Sequence, residues 1–211
     1  MRQLELLAEL HKALRPGTYL QTGPDVNSAL ALASYSQRAI GVGAGLKPAP
    51  KGSNQVTFDM DPGQYFDTMG PIVPTIDMAF INGRTFGEAL MDFINIEPHT
   101  HGNTIVVFGG VFPRDQEEAL AEGGMWRMPF ALNTHRPDLE QNLLDTFPTG
   151  SLVVRGLKNR SSTLRQKYAH IVAEYFSGER FAMAPEFVLG RIEATQPETL
   201  LSELNREAWK W

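Results

Sequence analysis

The sequence predicts an α+β fold: one domain in which a mixed or mostly antiparallel sheet is flanked by helices and carries long Gly/Pro-rich arms. Three observations lead there. Strand-length apolar runs are interspersed with helix-length amphipathic segments, at an ordinary balance of 42% hydrophobic and 20% charged residues. The 211 residues suffice for one good-sized core, and no shift in composition marks a domain boundary. Two stretches, 41–53 and 60–74, are too rich in glycine and proline to continue a helix or a central strand, so they read as arms.

Taken in order, residues 2–14 predict an amphipathic helix through Leu4, Leu7, Leu10 and Leu14, stopped by Pro16-Gly17. Asp25 is placed to cap a second, Ala- and Ser-rich helix over 26–39. Residues 54–60 and 75–81 read as strands, the second turning at Asn82-Gly83. Thr85 and Glu88 have the spacing of a capping box, in which each side chain serves the other's free backbone N–H, and they open a helix over 86–95. The apolar run 104–112 is the strongest strand, and Pro113 begins a short acidic helix. Residues 125–132 read as extended and 137–147 as a helix. Ser151–Leu157 reads as a strand. A helix over 161–178 follows, with an apolar stripe of Leu164, Tyr168, Ile171, Val172, Tyr175 and Phe176. One or two strands over 180–196 and a last helix over 197–211 complete the pass.

Composition narrows the chemistry. The absence of cysteine removes disulfides, thiolate nucleophiles and zinc fingers. No window approaches eighteen consecutive apolar residues, so no membrane helix is expected, and the N-terminus lacks a signal-peptide h-region. The formal charge of −5 is uneven. Between Thr146 and Ala173 there is no acid, while Arg155, Lys158, Arg160, Arg165 and Lys167 make that segment basic. It reads as a solvated face balanced by acids elsewhere, or as a surface for phosphate or an acidic partner.

The motifs are weak. His99 and His101, two residues apart, would share a strand face and could share a metal. Ile105 and Val106 stand where a ligand glutamate would follow, and Pro98 and Gly102 favour a turn, leaving Glu97 or His135 as the remaining third ligand. Gly41-Val42-Gly43-Ala44-Gly45 resembles a dinucleotide loop without the strand before it or the helix after it, and reads as a flexible loop. Asp59 and Asp61 have strand spacing for a cation, or simply flank a turn. No nucleophile elbow and no usable carboxylate pair is present, so no catalytic residue, metal site or cofactor is expected. Trp209 and Trp211, exposed to fraying at the terminus, read as inter-subunit anchors or as residues folded back on the core.

Residues 151–157, the helix ending AEYFSGERF and the run FVLGRIEATQ together resemble the tail-terminator and neck proteins of tailed bacteriophages, over about residues 150–195. The resemblance implies a non-enzymatic virion protein that forms a homo-oligomeric ring at the head–tail junction. Its partners would be its own copies and neighbouring portal, adaptor or tail-tube proteins, with the basic segment toward passing DNA and no membrane. The alternatives are a small metal-binding enzyme using His99 and His101, or a cytoplasmic binding module.

Overall fold

In a computed structural model of the chain, seven strands form one sheet in the order β3-β2-β1-β4-β5-β7-β6. The strands are β1 (Thr18–Thr22), β2 (Arg38–Val42), β3 (Gln55–Phe58), β4 (Met78–Ile81), β5 (Ile105–Gly109), β6 (Glu140–Leu144) and β7 (Ser151–Arg155). The residues described are 1–23, 30, 33–83, 85–120, 123–176, 188–191 and 193–206. β1 to β5 pair in parallel, and β7 enters antiparallel between β5 and β6. The chain thus forms the predicted single domain with a mixed sheet flanked by helices, and parallel pairing dominates it.

Every residue of β4 and β5 is buried. That is the signature of a sheet covered on both faces, because crossover helices lie above and below parallel strands. Alternate side chains serve two cores. Leu20, Ile40, Val42, Ala79, Ile81, Val106, Phe108, Leu152 and Val154 face one helix layer. It is built from α2 (Pro62–Met69), α3 (Phe86–Ile96), α5 (Met128–His135) and α6 (Thr163–Phe176). Tyr19, Ala39, Met78, Phe80, Ile105, Val107 and Val153 face the other, formed by α1 (Gln3–Leu14) and α7 (Pro197–Leu204). A short α4 (Gln116–Leu120) lies between β5 and α5. Among the described residues no helix is long and apolar enough to cross a membrane.

Several elements lie where the sequence places them. The capping box at α3 is present: Thr85 Oγ1 accepts from the Glu88 amide at 3.3 Å, and Glu88 Oε2 accepts from the Thr85 amide at 3.2 Å. In α6, Leu164, Ile171 and Tyr175 of the predicted stripe are buried.

Other elements differ. The 26–39 segment is not one helix: a single 3-10 turn covers Ala33–Tyr35, and Arg38 already begins β2. Residues 26–29 and 31–32 lie outside the described residues. The expected arm at 60–74 is ordered as α2 and a 3-10 turn, because Asp61 caps the helix and Pro62 starts it with a fixed φ. The expected arm at 41–53 begins inside β2. Residues 125–135 are a 3-10 turn and α5 rather than extended. The predicted 137–147 helix contains β6 instead, because pairing with β7 outweighs a helix-like leucine spacing. Most of the predicted 180–196 strands, and Trp209 with Trp211, fall outside the described residues.

Candidate functional site

The chain runs β1, β2, β3 toward one edge of the sheet, then returns to lay β4 on the other side of β1. At such a reversal the loops leaving neighbouring strands part, and a crevice opens beyond their carboxyl ends. A crevice of about 370 Å³ lies there, lined by residues that follow β1 to β4 and by α3 and α6. Its volume is in the usual range for a small-molecule site, about 300–1,000 Å³.

Its floor is largely glycine. Gly23, at the exit of β1, has φ +106°, and a Cβ there would stand 2.1 Å from the Asn82 carbonyl oxygen at the exit of β4. Gly83 packs as closely on α3, where a Cβ would lie 2.6 Å from the Ala89 Cβ. Only glycine lets these two strand exits close on each other and on the helix, leaving backbone rather than side chain at the crevice floor. Gly43 and Ala44 continue the rim beyond β2, and the Gly45 amide donates to Asp59 Oδ1 at 2.6 Å. The GVGAG run is therefore the end of β2 and part of this rim, not a flexible loop.

Three carboxylates line the crevice: Asp61, Glu88 and Asp92. Asp61 Oδ1 accepts from the amides of Gly63 (2.8 Å) and Gln64 (3.4 Å), which fixes it at the start of α2. Glu88 is held by the capping box. Asp92, one helical turn further along α3, is 7% exposed. Burial raises its carboxyl to about 7, and the charges of Asp61 and Glu88 push the same way. The Thr22 hydroxyl at the end of β1 is close enough to favour the carboxylate, without a hydrogen bond of good geometry. Tyr168 reaches across from α6 and donates to the Gly87 carbonyl at 3.2 Å. Its phenol is raised by burial and by Glu88 and Asp92. Among the described residues that line the crevice there is no Lys, Arg or His. The arrangement suits a ligand with cationic and hydrogen-bond-donating groups and repels phosphate.

Asp92 costs stability in the ligand-free protein. Because its carboxyl is raised in the fold, the penalty is absent below the ordinary carboxylate range and grows as pH rises from about 4 through 7. Asp92→Asn is expected to raise stability at pH 8 by roughly 2–4 kcal/mol and to change it little at pH 4.5. Urea unfolding at the two pH values measures this, and equal effects at both would contradict it.

The residues singled out from sequence lie elsewhere. Glu97–His99 is a 3-10 turn between α3 and β5, at the amino-terminal ends of β4 and β5, opposite the crevice. His99 stacks on Phe66 with ring centroids 5.7 Å apart. His101 Nε2 meets Asp77 Oδ1 at 2.9 Å. Neither candidate third ligand joins them: Glu97 bonds Arg136 at 2.6 Å, and His135 faces Glu174 at 3.4 Å. Among the described residues no group of three His, Asp or Glu is placed to hold a metal, so the metal-enzyme alternative on His99 and His101 is not supported.

The basic segment is partly neutralised. Arg155 pairs with Glu140 (2.9 Å), Lys158 with Asp138 (3.0 Å), and Arg165 bonds Asn95 Oδ1 (2.9 Å), while Arg160 and Lys167 are exposed. Sequence reasoning missed the crevice because Gly23, Gly43 and Ala44 sit on turns after β1 and β2, two strands it did not recognise, and only the parallel sheet brings them to Asp61 and to Glu88 and Asp92 of α3. The glycines that bound those strands, Gly17, Gly23 and Gly43, were the available signal.

No family model matches the chain, and no curated protein matches its sequence. Its fold is similar to solved methyltransferase structures. The O-methyltransferase TomG from Streptomyces achromogenes, involved in tomaymycin synthesis and solved in complex with SAM, has a TM-score of 0.57 at 14% identity over 74% of this chain and 80% of its own. An O-methyltransferase from Bacillus cereus in complex with SAH has a TM-score of 0.56 at 13% identity over 74% and 80%. The SAH-bound methyltransferase PaMTH1 of Podospora anserina has a TM-score of 0.53 at 12% identity over 74% and 78%. These matches overturn the neck and tail-terminator reading, with its virion location, ring assembly and lack of enzymatic activity. The strand and helix that suggested it, β7 and α6, belong to a methyltransferase-like sheet, where β7 pairs antiparallel with β5 and β6. The chain has the fold of these methyltransferases.

Proposed function

We propose that the chain binds S-adenosylmethionine in the crevice beyond β1 to β4 and is a methyltransferase. The observation that carries this reading is the acidic, glycine-floored crevice at the switch point of a sheet whose similar structures were solved with SAM or SAH. The residues fit such a group. Gly23 and Gly83 let the exits of β1 and β4 close on each other and on α3, so backbone forms the crevice floor, and the volume admits a small nucleoside conjugate. Pro62, Met91 and the Tyr168 ring supply apolar wall for a purine, while Asp61, Glu88 and Asp92 supply negative charge for a cation and acceptors for sugar hydroxyls. When bound, S-adenosylmethionine supplies a methyl group on a positively charged sulfur, a leaving arrangement that needs no metal.

The chain's own part is to bind and orient. Asp61 is pinned by two amides and Glu88 by one, so both carboxylates are positioned before a ligand arrives. No acid follows β2, where dinucleotide-binding folds place a ribose-binding carboxylate; Val42-Gly43-Ala44 stands there instead. Ribose recognition falls to the carboxylates of α2 and α3.

Isothermal titration calorimetry with S-adenosylmethionine and S-adenosylhomocysteine tests the reading. Saturable one-to-one binding is expected, with a stabilisation of about 2.7 kcal/mol at a hundredfold excess over Kd. No heat and no thermal shift with either compound would overturn it.

A further inference from the structure

Asp92 is the most buried of the three crevice carboxylates, and no cation pairs with it among the described residues. Among the described residues the groups around it are acidic or neutral: Glu88 on its own helix, Asp61 at the start of α2, the Tyr168 phenol from α6 and the Thr22 hydroxyl from β1. A carboxylate held in such a place costs the empty protein stability once ionised, and a positive partner entering the crevice relieves that cost. Its side chain lines the crevice itself, whereas the structural acids of this fold are paired: Glu97 with Arg136, Asp138 with Arg136 and Lys158, and Asp77 with His101.

We infer that Asp92 is the counter-ion for a cationic group of the bound ligand, so that ligand binding and loss of a proton from the crevice are one event. The inference rests on the proposed cofactor. Its cation is either the sulfonium, present in S-adenosylmethionine alone, or the amino-acid ammonium, present in S-adenosylhomocysteine as well. The empty protein carries Asp92 largely protonated below neutrality. Only the ionised fraction offers the counter-charge, so apparent affinity scales with that fraction. Between pH 8 and pH 6 it falls about tenfold.

The experiment is calorimetric titration of the full chain with S-adenosylmethionine, and separately with S-adenosylhomocysteine, at pH 6, 7 and 8. Each is run in two buffers of different ionisation enthalpy, which reports protons released without any mutation. Expected are release of part of a proton near pH 7 and an affinity about tenfold weaker at pH 6 than at pH 8. Asp92→Asn should abolish both the release and the pH dependence while its circular dichroism stays native. A pH effect with S-adenosylmethionine alone assigns the sulfonium, and one with both ligands assigns the ammonium. Binding with no proton release and equal affinity at all three pH values overturns the role of Asp92 and leaves the proposed cofactor standing. Absence of binding at every pH removes both.

Discussion

Gly23→Ala is expected to destabilise the protein by about 3–5 kcal/mol and to abolish ligand binding at the crevice. Two costs add at this position. A φ of +106° disfavours any residue with a Cβ, at about 1–3 kcal/mol. The new methyl would also stand 2.1 Å from the Asn82 carbonyl oxygen, far inside contact distance, so the exits of β1 and β4 must separate. Asn82 N donates to Thr22 O at 3.1 Å, and separation of the strand exits breaks that bond as well. The midpoint of urea unfolding gives the first quantity and calorimetry the second. A variant as stable as the parent would show that β1 leaves the sheet by another path than the one described.

Glu97→Ala is expected to cost about 3–5 kcal/mol for a different reason. Glu97 and Arg136 meet at 2.6 Å with both side chains 3% exposed, before the amino-terminal ends of β5 and β6 and away from the crevice. Removing the carboxylate strands a guanidinium whose remaining partner, Asp138, is partly exposed and shared with Lys158. The Arg136 guanidinium holds the Asp138 carboxyl well below the usual carboxylate range, so Asp138 cannot take over by becoming more charged. The loss should appear as a lower urea midpoint at an unchanged slope, with ligand affinity of the folded protein intact. A cost under about 1 kcal/mol would mean that water reaches Arg136. This pair also explains why Glu97 does not serve the histidines beside it in sequence: its charge is already committed across the fold.

The contrast between these two positions bears on how much of the protein is legible from its residues. The capping box at Thr85 and Glu88 was legible because both partners lie within four residues, and so was the buried stripe of α6. β5 was legible because four consecutive apolar residues, Ile105 to Phe108, closed by Gly109-Gly110 admit few other readings. β1 and β2 were not. TYLQT and RAIGV are five-residue strands that owe their extended form to pairing with each other in register, Leu20 beside Ile40, and β1 with β4. Read alone, the first looks like the tail of a helix stop and the second like the end of an alanine-rich helix. Likewise Asp61-Pro62-Gly63 reads as a turn until α2 packs Tyr65 and Phe66 into the core, after which the same aspartate is a helix cap. Since the parallel order of the sheet is what brings those segments beside Glu88 and Asp92 of α3, the site was hidden for the same reason that the parallel sheet was. His99 and His101, two residues apart, are the more conspicuous feature of the sequence. They prove to be a stacked ring and an aspartate-bound ring at the opposite end of the strands from the crevice.

The most direct test of the central claim is to locate the ligand: backbone amide shifts recorded with and without S-adenosylmethionine on isotope-labelled protein. The account predicts saturable shifts at Gly23, Gly43, Gly63, Gly83, Glu88 and Asp92, and none at Glu97, His99 or His101. Shifts confined to residues 97–101, or none anywhere at saturating ligand, would contradict it.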